Sequence, residues 1–258
     1  MLLAIDIGNT HTVIGVYKGE QLIADWRVTS SGTRTADETW LTIKNFCLDA
    51  DISPLLLTGV GISSVVPNLT DIFETIALKY IKVEPVVVGG HLDLGFDIHY
   101  EDVSAVGADR LCNAIAGYKK HGGPLIIIDF GTATTFDVVA ENGDYLGGLI
   151  ALGLESTAGE LHRRAARLPK IELHFPDKVI GTDTVQSMQA GVMFGAVDAV
   201  EGIVRRIQRE MGSKAKIIAT GGLSAIMAQY TDVIEACEPS LVLDGVRLIY
   251  ERVKKSQP

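Results

Sequence analysis

Apolar residues follow two patterns along the chain: short continuous runs and longer stretches with helical spacing. The short runs predict β-strands covered on both faces, because such strands have no solvent-facing polar positions. The predicted strands are 2–7, 12–17, 21–28, 60–66, 85–88, 125–129, 134–140, 145–150 and 216–219. Apolar positions three or four apart predict helices over 36–50, 72–80, 107–120, 153–167, 183–211 and 241–254. Strands that alternate with helices indicate an α/β protein.

The first strand-rich block has a partial copy later in the chain. At an offset of 123 residues, strand, glycine-containing turn and strand recur in the same order. The aligned pairs are Asp6 with Asp129, Gly8 with Gly131, and Thr12 with Thr135. One copy of each block indicates two similar halves rather than a solenoid. We place the boundary at residue 120, which gives halves 1–120 and 121–258, and expect them to pack around a shared cleft.

Composition and charge narrow the class of protein. Of 258 residues, 47% are hydrophobic and 21% are charged, which is typical of a globular chain with a sizeable core. The net charge of −9 disfavours general binding to nucleic acid or to anionic membrane surfaces. No apolar run approaches the ~18 residues of a membrane span, and the first residues do not resemble a signal peptide.

The three cysteines are far apart and form no metal-binding or redox pair. Cys47, Cys112 and Cys237 each lie among apolar residues and are expected to be buried thiols. A reduced chain in the cytoplasm is therefore expected rather than a disulfide scaffold.

A carboxylate, a glycine and several hydroxyls follow the first predicted strand directly. Gly8 lets backbone N–H groups approach phosphate oxygens, the side chains of Asn9, Thr10 and Thr12 can donate hydrogen bonds, and Asp6 can hold hydrated Mg²⁺. An ordinary hairpin turn uses the same residue types. The near-copy over 129–135 favours a two-sided phosphate clamp, because unrelated turns seldom share acid, glycine and threonine in register. Neither a Walker loop nor a dinucleotide loop occurs.

Two further motifs could take part in the same chemistry. Thr220-Gly221-Gly222, after a predicted strand, could admit adenine or ribose against the backbone, although a helix-capping turn fits equally well. Gly107-Ala108-Asp109-Arg110 opens a predicted helix. An acid there commonly serves the helix dipole, but it is also well placed to accept a proton from a substrate hydroxyl, with Arg110 available to an anion.

Together these four motifs resemble the type III pantothenate kinase family, over essentially the whole chain. That family belongs to the acetate-and-sugar-kinase, heat-shock and actin superfamily. The resemblance implies a duplicated ribonuclease-H-like (actin-like ATPase) α/β fold, with two mixed sheets flanked by helices around a central cleft. Residues 1–120 would carry the first phosphate turn and the catalytic acid. Residues 121–258 would carry the second phosphate turn and the adenosine turn.

The resemblance also implies roles for individual residues. Asp109 would be the general base. Asp6 would serve Mg²⁺ indirectly, and Asp129 would bind a monovalent cation, K⁺ or NH₄⁺. The ATP and phosphate contacts would be Asp6, Ile7, Gly8, Asn9, Thr10, His11, Thr12, Val13 and Thr132. The substrate contacts would be Tyr100, Gly107, Ala108, Asp109, Arg110 and Thr184.

The implied activity is ATP-dependent phosphorylation of pantothenate to 4'-phosphopantothenate, the first step of coenzyme A biosynthesis, by a homodimer in the cytoplasm. The carboxylates of Asp6, Asp109 and Asp129 would repel a polyanion, so a requirement for cations also follows from charge. Two alternatives stay open at this point. One is a related superfamily kinase for another small hydroxy acid, and the other is a non-catalytic regulatory homologue. An actin-like filament protein is disfavoured, because 258 residues leave little room for inserted subdomains.

Overall fold

The chain forms two units, each with a five-stranded mixed sheet. The structure is a computed structural model that describes residues 1–256. The first unit comprises residues 1–120 together with the residues from Ser240 onward. The second unit comprises His121–Pro239.

The sheet of the first unit has the order β3-β2-β1-β4-β5. Its strands are β1 (Leu2–Ile7), β2 (His11–Lys18), β3 (Gln21–Thr29), β4 (Gly59–Ser64) and β5 (Val86–Val87). β1, β2 and β3 are antiparallel, whereas β4 runs parallel to β1 and β5 parallel to β4. The helices are α1 (Ala36–Asp49), α2 (Pro67–Ile76), α3 (Ala108–His121) and α7 (Leu241–Lys255). Apolar residues of β1, β2 and β4 form a core with α1 and α2, which explains why β1 reads as a continuous apolar run.

The sheet of the second unit has the order β10-β9-β6-β7-β8. Its strands are β6 (Leu125–Phe130), β7 (Ala133–Val139), β8 (Tyr145–Leu152), β9 (Lys216–Thr220) and β10 (Ala236–Cys237). The helices are α4 (Leu154–Arg164), α5 (Thr184–Met211) and α6 (Ser224–Met227). The core lies between β6, β7 and β9 and the apolar face of α5, where Met193 is fully buried.

The two sheets have the same strand order and directions when β6 to β10 are read against β1 to β5. The predicted duplicated fold is therefore confirmed. The predicted alignment of Thr12 with Thr135 is wrong by one residue, because the second hairpin is shorter. Ile7 pairs with Thr12 across the first hairpin, whereas Phe130 pairs with Thr134 across the second. Thr12 and Thr134 are both buried.

The closing helix α7 groups with the first unit, whereas the sequence places it in the half 121–258. It packs on β1, β2 and β4. The sheet accepts it because Gly59 and Gly61 of β4 carry no side chain where Val246 and Tyr250 of α7 lie. The Tyr17 hydroxyl of β2 also donates a hydrogen bond of 2.7 Å to Asp244 Oδ1 of α7.

Other differences from the predicted elements are small. α2 begins at Pro67, where the fixed φ of proline favours a first helical position. The short elements α6 and β10 were not predicted from the sequence. Cys47 and Cys112 are buried as expected, but Cys237 is exposed on the edge strand β10. Over residues 1–256, no helix combines the length and apolar character needed to cross a membrane.

Candidate active site

The first predicted phosphate turn joins β1 to β2. The Gly8 N–H donates to the His11 carbonyl oxygen at 3.0 Å. Ser30, just after β3, fixes the turn from the side: its hydroxyl donates to the Gly8 carbonyl at 2.6 Å, and its N–H donates to the Thr10 carbonyl at 3.0 Å. Asn9, Thr10 and His11 are exposed at the tip. The turn is thus ordered by backbone bonds while its tip faces solvent, as a loop that receives a ligand requires.

Two predicted phosphate contacts lie farther along β2. Thr12 is buried, and its hydroxyl shares a hydrogen bond of 2.9 Å with the Ser30 hydroxyl. Val13 pairs with Asp6 across the hairpin, and Ile7 is fully buried in the core. The exposed tip and the half-buried Asp6 and Val13 therefore present side chains toward solvent, whereas Ile7 and Thr12 do not.

Asp6 is oriented by the neighbouring parallel strand. It pairs in register with Ser63 of β4, and the Ser63 hydroxyl donates to Asp6 Oδ1 at 2.9 Å. Ser63 was not identified from the sequence as a site residue. The only signal available was a serine at the carboxyl end of an otherwise apolar strand, the edge at which α/β sheets place their ligands.

Asp109 lies in the first turn of α3, where its carboxylate is largely shielded from water. Burial raises its pKa above the usual range, while the Arg110 N–H, which donates to Asp109 Oδ1 at 2.9 Å, and the Arg110 charge oppose the rise. Gly107 leaves the room that the carboxylate occupies, because a side chain there would collide with Asp109 Oδ1. A carboxylate with a raised pKa is a stronger base than an ordinary aspartate, which suits it to receive a proton.

The buried thiol of Cys112 lies within the electrostatic reach of both carboxylates. Burial first, then the charges of Asp6 and Asp109, raise the pKa of this thiol well above its usual range. A hydrogen bond with Ser63 has the opposite effect on that pKa. The structure thus brings the end of β1 and the start of α3 into one region of the first unit.

The remaining predicted residues of the first unit lie around that region. Ala108 and Arg110 are buried at the start of α3. Tyr100 lies in the irregular segment that precedes α3 and is 39% exposed. Within residues 1–256, no hydrogen bond links the Tyr100 side chain to the start of α3.

In the second unit, Asp129 and the glycine turn after β9 lie side by side. Asp129 pairs in register with Thr220. A Cβ atom on Gly221 would lie 2.5 Å from Asp129 Oδ1 and 2.6 Å from the Phe130 carbonyl oxygen, and the φ of +87° favours glycine as well. Gly221 therefore lets the backbone of this turn approach the Asp129 carboxylate and the Phe130 carbonyl closely. Carboxylate and carbonyl oxygens are ligands that a hard cation such as K⁺ accepts.

The same turn also leads into α6, as the alternative interpretation of a capping turn predicts. The Ser224 N–H and hydroxyl donate to the Gly221 carbonyl oxygen at 3.2 Å and 2.8 Å. The two interpretations are compatible, because the capping bonds use the carbonyl of Gly221, whereas the close approach to Asp129 and Phe130 is at its Cα.

Thr132 lies in the turn between β6 and β7 and contacts the start of α4, whereas Thr184 begins α5. The Thr132 carbonyl accepts bonds from the Gly153 N–H at 3.1 Å and the Ser156 hydroxyl at 2.8 Å, which hold the second turn against α4. Thr184 is the first residue of α5, is exposed, and lines a groove of about 940 Å³ within this unit. The groove is bounded by residues of β8, α4 and α5.

The donor set near Asp6 fits a divalent ion that arrives with a nucleotide. Among residues 1–256 there is no cluster of three or more His, Cys, Asp or Glu side chains that could enclose a metal. Mg²⁺ is commonly bound by one or two carboxylates plus substrate phosphates, with waters completing its shell. A single oriented carboxylate beside an exposed turn is compatible with that mode.

Solved structures with the same architecture identify the class of fold. The chain is similar to a Campylobacter jejuni protein described as a Baf family transcriptional activator, with a TM-score of 0.62 at 19% identity over 98% of this chain and 99% of that one. The Clostridium difficile activator of 2-hydroxyisocaproyl-CoA dehydratase, solved with bound ADPNP, has a TM-score of 0.55 at 13% identity over 99% and 96% of the chains. The chain thus has the actin-like ATPase fold.

Sequence comparison resolves the family within that fold. A family model for type III pantothenate kinase matches residues 2–206. The chain is 44% identical to the type III pantothenate kinase of Moorella thermoacetica, over 98% of this chain and 99% of that protein. It is 46% identical to that of Roseiflexus castenholzii, over 97% and 98%. The chain belongs to the type III pantothenate kinase family, as its motifs predicted. The ATP-dependent chemistry of this family implies a divalent metal such as Mg²⁺.

Proposed function

We propose that this protein transfers the γ-phosphoryl group of ATP to pantothenate, forming 4'-phosphopantothenate in the first step of coenzyme A biosynthesis. The observation that carries this proposal is the identity of 44% and 46% to two type III pantothenate kinases across nearly the full length of each chain. The intact acid at the start of α3 supports it, because a catalytic chain needs a group that can take the proton of the acceptor hydroxyl.

Asp109 is the proposed general base. In the transfer, the terminal hydroxyl oxygen of pantothenate forms a bond to the γ-phosphorus, and the bond from that phosphorus to the leaving oxygen of ADP breaks. The hydroxyl proton passes to the Asp109 carboxylate. Burial that raises the pKa of Asp109 favours this role, since it strengthens the base. The transfer otherwise depends mainly on positioning and on neutralising charge.

The two turns are the proposed phosphate contacts. The first comprises Asp6 to Val13, and the second contributes Thr132. Backbone bonds already order the first turn, so little conformational freedom would be lost on binding ATP. Mg²⁺ would supply charge neutralisation on the phosphates, and Asp6 would hold one of its waters. The ADPNP bound in the C. difficile activator, which shares the fold, is compatible with this use of the fold.

The proposed pantothenate contacts are Tyr100, Gly107, Ala108, Arg110 and Thr184. The proposed monovalent cation, K⁺ or NH₄⁺, would bind at Asp129, whose Oδ1 and the nearby Phe130 carbonyl oxygen both lie next to Gly221. The cytoplasmic location stays a prediction, which the use of ATP as phosphoryl donor supports.

We also propose a homodimer, and place its contact on the second unit. The edge strand β8 exposes four large apolar side chains: Leu146, Leu149, Ile150 and Leu152. The apolar groove of about 940 Å³ between β8, α4 and α5 meets this strand at Ala151 and Leu152. Exposed apolar side chains along an edge strand are costly in water and typical of a subunit interface.

Ile150→Lys is therefore expected to convert the dimer to a monomer in light scattering coupled to gel filtration. Ile150 is 67% exposed, so the lysine would disturb little within its own chain while placing a charge in an apolar contact. Leu55→Lys is the matched control, because Leu55 is 92% exposed and belongs to the first unit. A dimer that persists in Ile150→Lys would contradict the proposed interface.

A pantothenate kinase, a related kinase for another hydroxy acid and a non-catalytic regulatory homologue differ in the ADP that they release. ADP release should depend on pantothenate, should be faster in K⁺ than in Na⁺ buffer, and should be slow with other small hydroxy acids. Turnover with another acceptor but none with pantothenate would indicate a related kinase. Folded protein that releases no ADP with any acceptor would indicate a regulatory homologue. The likeness to the Baf family structure, at 19% identity, reflects the shared fold alone and does not favour that outcome.

A further inference from the structure

The hydroxyl of Ser63 connects the two carboxylate-bearing elements of the first unit. Ser63 is fully buried on β4, directly opposite Asp6 of β1. Its Oγ lies 2.9 Å from Asp6 Oδ1. A carboxylate can only accept, so the Ser63 proton must point toward Asp6.

The face of β4 that carries Ser63 is the one that faces the helices of the site. Successive residues of a strand face opposite sides of the sheet, so Gly59, Gly61 and Ser63 lie on the same side. The two glycines make room for α7. At Ser63 the neighbour is the buried thiol of Cys112 of α3, whose pKa Ser63 lowers.

An aspartate carboxylate rotates broadly about its last torsion unless a partner fixes it. Ser63 is a suitable partner, because it lies on a buried strand in register with Asp6 and cannot move independently of the sheet. A bond from such a donor fixes the plane of the carboxylate before any ligand arrives. Preorganisation of this kind raises affinity by lowering the entropy lost on binding.

We propose that Ser63 is a positioning residue for Asp6, which fixes the carboxylate in the orientation that receives the hydrated Mg²⁺ of Mg–nucleotide. This inference rests on the proposed function, in which Asp6 serves Mg–ATP. Partners that orient a ligating carboxylate affect metal affinity about 10- to 100-fold in other proteins.

Ser63→Ala is expected to weaken binding of Mg–ADP about tenfold in isothermal titration calorimetry. The free Mg²⁺ needed for half-maximal nucleotide binding should rise accordingly. In steady-state assays, the KM for ATP should rise while the KM for pantothenate stays within about twofold, because the hydroxyl that is removed donates to Asp6, the proposed Mg–ATP residue. A merely structural role for Ser63 would lower thermal stability without separating the two KM values.

Ser64→Ala is the matched control. Ser64 is the next residue of β4 and faces α2, where it accepts a bond of 2.7 Å from the Thr70 hydroxyl. The same substitution there should leave the affinity for Mg–ADP within about twofold of wild type. Ser63→Cys, which keeps a weaker donor at the same position, should give an intermediate affinity and serves in place of Ser63→Ala if the alanine variant does not fold.

The outcomes separate this inference from the proposed function. Wild-type affinity for Mg–ADP in folded Ser63→Ala, or in Ser63→Cys if only that variant folds, would overturn the positioning role even if pantothenate is phosphorylated. A wild-type protein that binds Mg–ADP but does not phosphorylate pantothenate would overturn the function, while the calorimetric comparison would still decide the role of Ser63.

Discussion

Asp109→Asn is expected to lower kcat for pantothenate phosphorylation about a thousandfold, within the range of general-base contributions. The amide keeps the shape of the carboxyl group and can still accept the Arg110 N–H, which donates to Oδ1 at 2.9 Å in the wild type. It cannot take the proton of the acceptor hydroxyl. Binding of Mg–ADP should change little, because the loss concerns the chemical step.

The pH dependence provides an independent test of the same role. The base acts in its charged form, and burial raises the pKa of Asp109. The rate should therefore fall with decreasing pH at a higher pH than an ordinary aspartate would give. This fall of the rate at low pH should be absent from the residual activity of Asp109→Asn.

Asp109→Asn should lower activity without lowering the stability of the protein. A carboxyl group whose folded pKa is raised is costly in its charged form, so it lowers stability at pH values above its pKa in the folded state. Replacing it with a neutral amide should leave the melting temperature at pH 7 equal to or above that of wild type. Asp71→Asn, at an exposed position of α2, is the control and should alter neither activity nor stability. Retention of wild-type kcat in Asp109→Asn would remove Asp109 as the base.

Gly245→Ala is expected to destabilise the protein by about 1–3 kcal/mol, the usual range for an overpacked core. Gly245 of α7 packs directly on the backbone of α3, and a Cβ atom there would overlap the carbonyl group of Cys112. A backbone carbonyl inside a helix cannot turn aside as a flexible side chain can. For a chain of this size the melting temperature should fall by roughly 2–12 °C.

The same substitution should also lower activity, because Cys112 lies one helical turn after Asp109. Displacing this part of α3 would move the proposed base relative to Asp6. Gly202→Ala in α5 is the matched control, since among residues 1–256 a Cβ there would meet, within 4 Å, the end of the Arg205 side chain alone, at 3.9 Å. Alanine favours a helix over glycine by up to about 1 kcal/mol, so this control should be as stable as wild type or more so. Equal melting temperatures for Gly245→Ala and wild type would contradict the close contact.

Local patterns predicted most strands and helices, because burial on both faces leaves a clear apolar run such as Leu2–Ile7. They could not place α7, whose partners on β1, β2 and β4 lie roughly two hundred residues earlier in the chain. Local patterns also could not predict the one-residue difference between the two hairpins, since the pairing of Thr134 with Phe130 in the sheet reveals it.

In the candidate site, too, residues with a local signal could be predicted from the sequence, whereas those defined by distant contacts could not. Asp6 and Asp109 stand out in the sequence because each follows a recognisable local signal, a strand end or a helix start. The signal for Ser63, a serine near the carboxyl end of an apolar strand, is weaker. The relation of Ser63 to Asp6 depends on the parallel register of β1 and β4, which joins residues 57 positions apart.

The most direct test of the central claim is the identity of the product. Purified protein would be incubated with Mg–ATP and pantothenate in K⁺ buffer, and the products analysed by mass spectrometry and ³¹P NMR. We expect one phosphomonoester on the terminal hydroxyl of pantothenate, formed in a 1:1 ratio with ADP. No phosphorylated pantothenate from folded protein that binds Mg–ADP would contradict the proposed function.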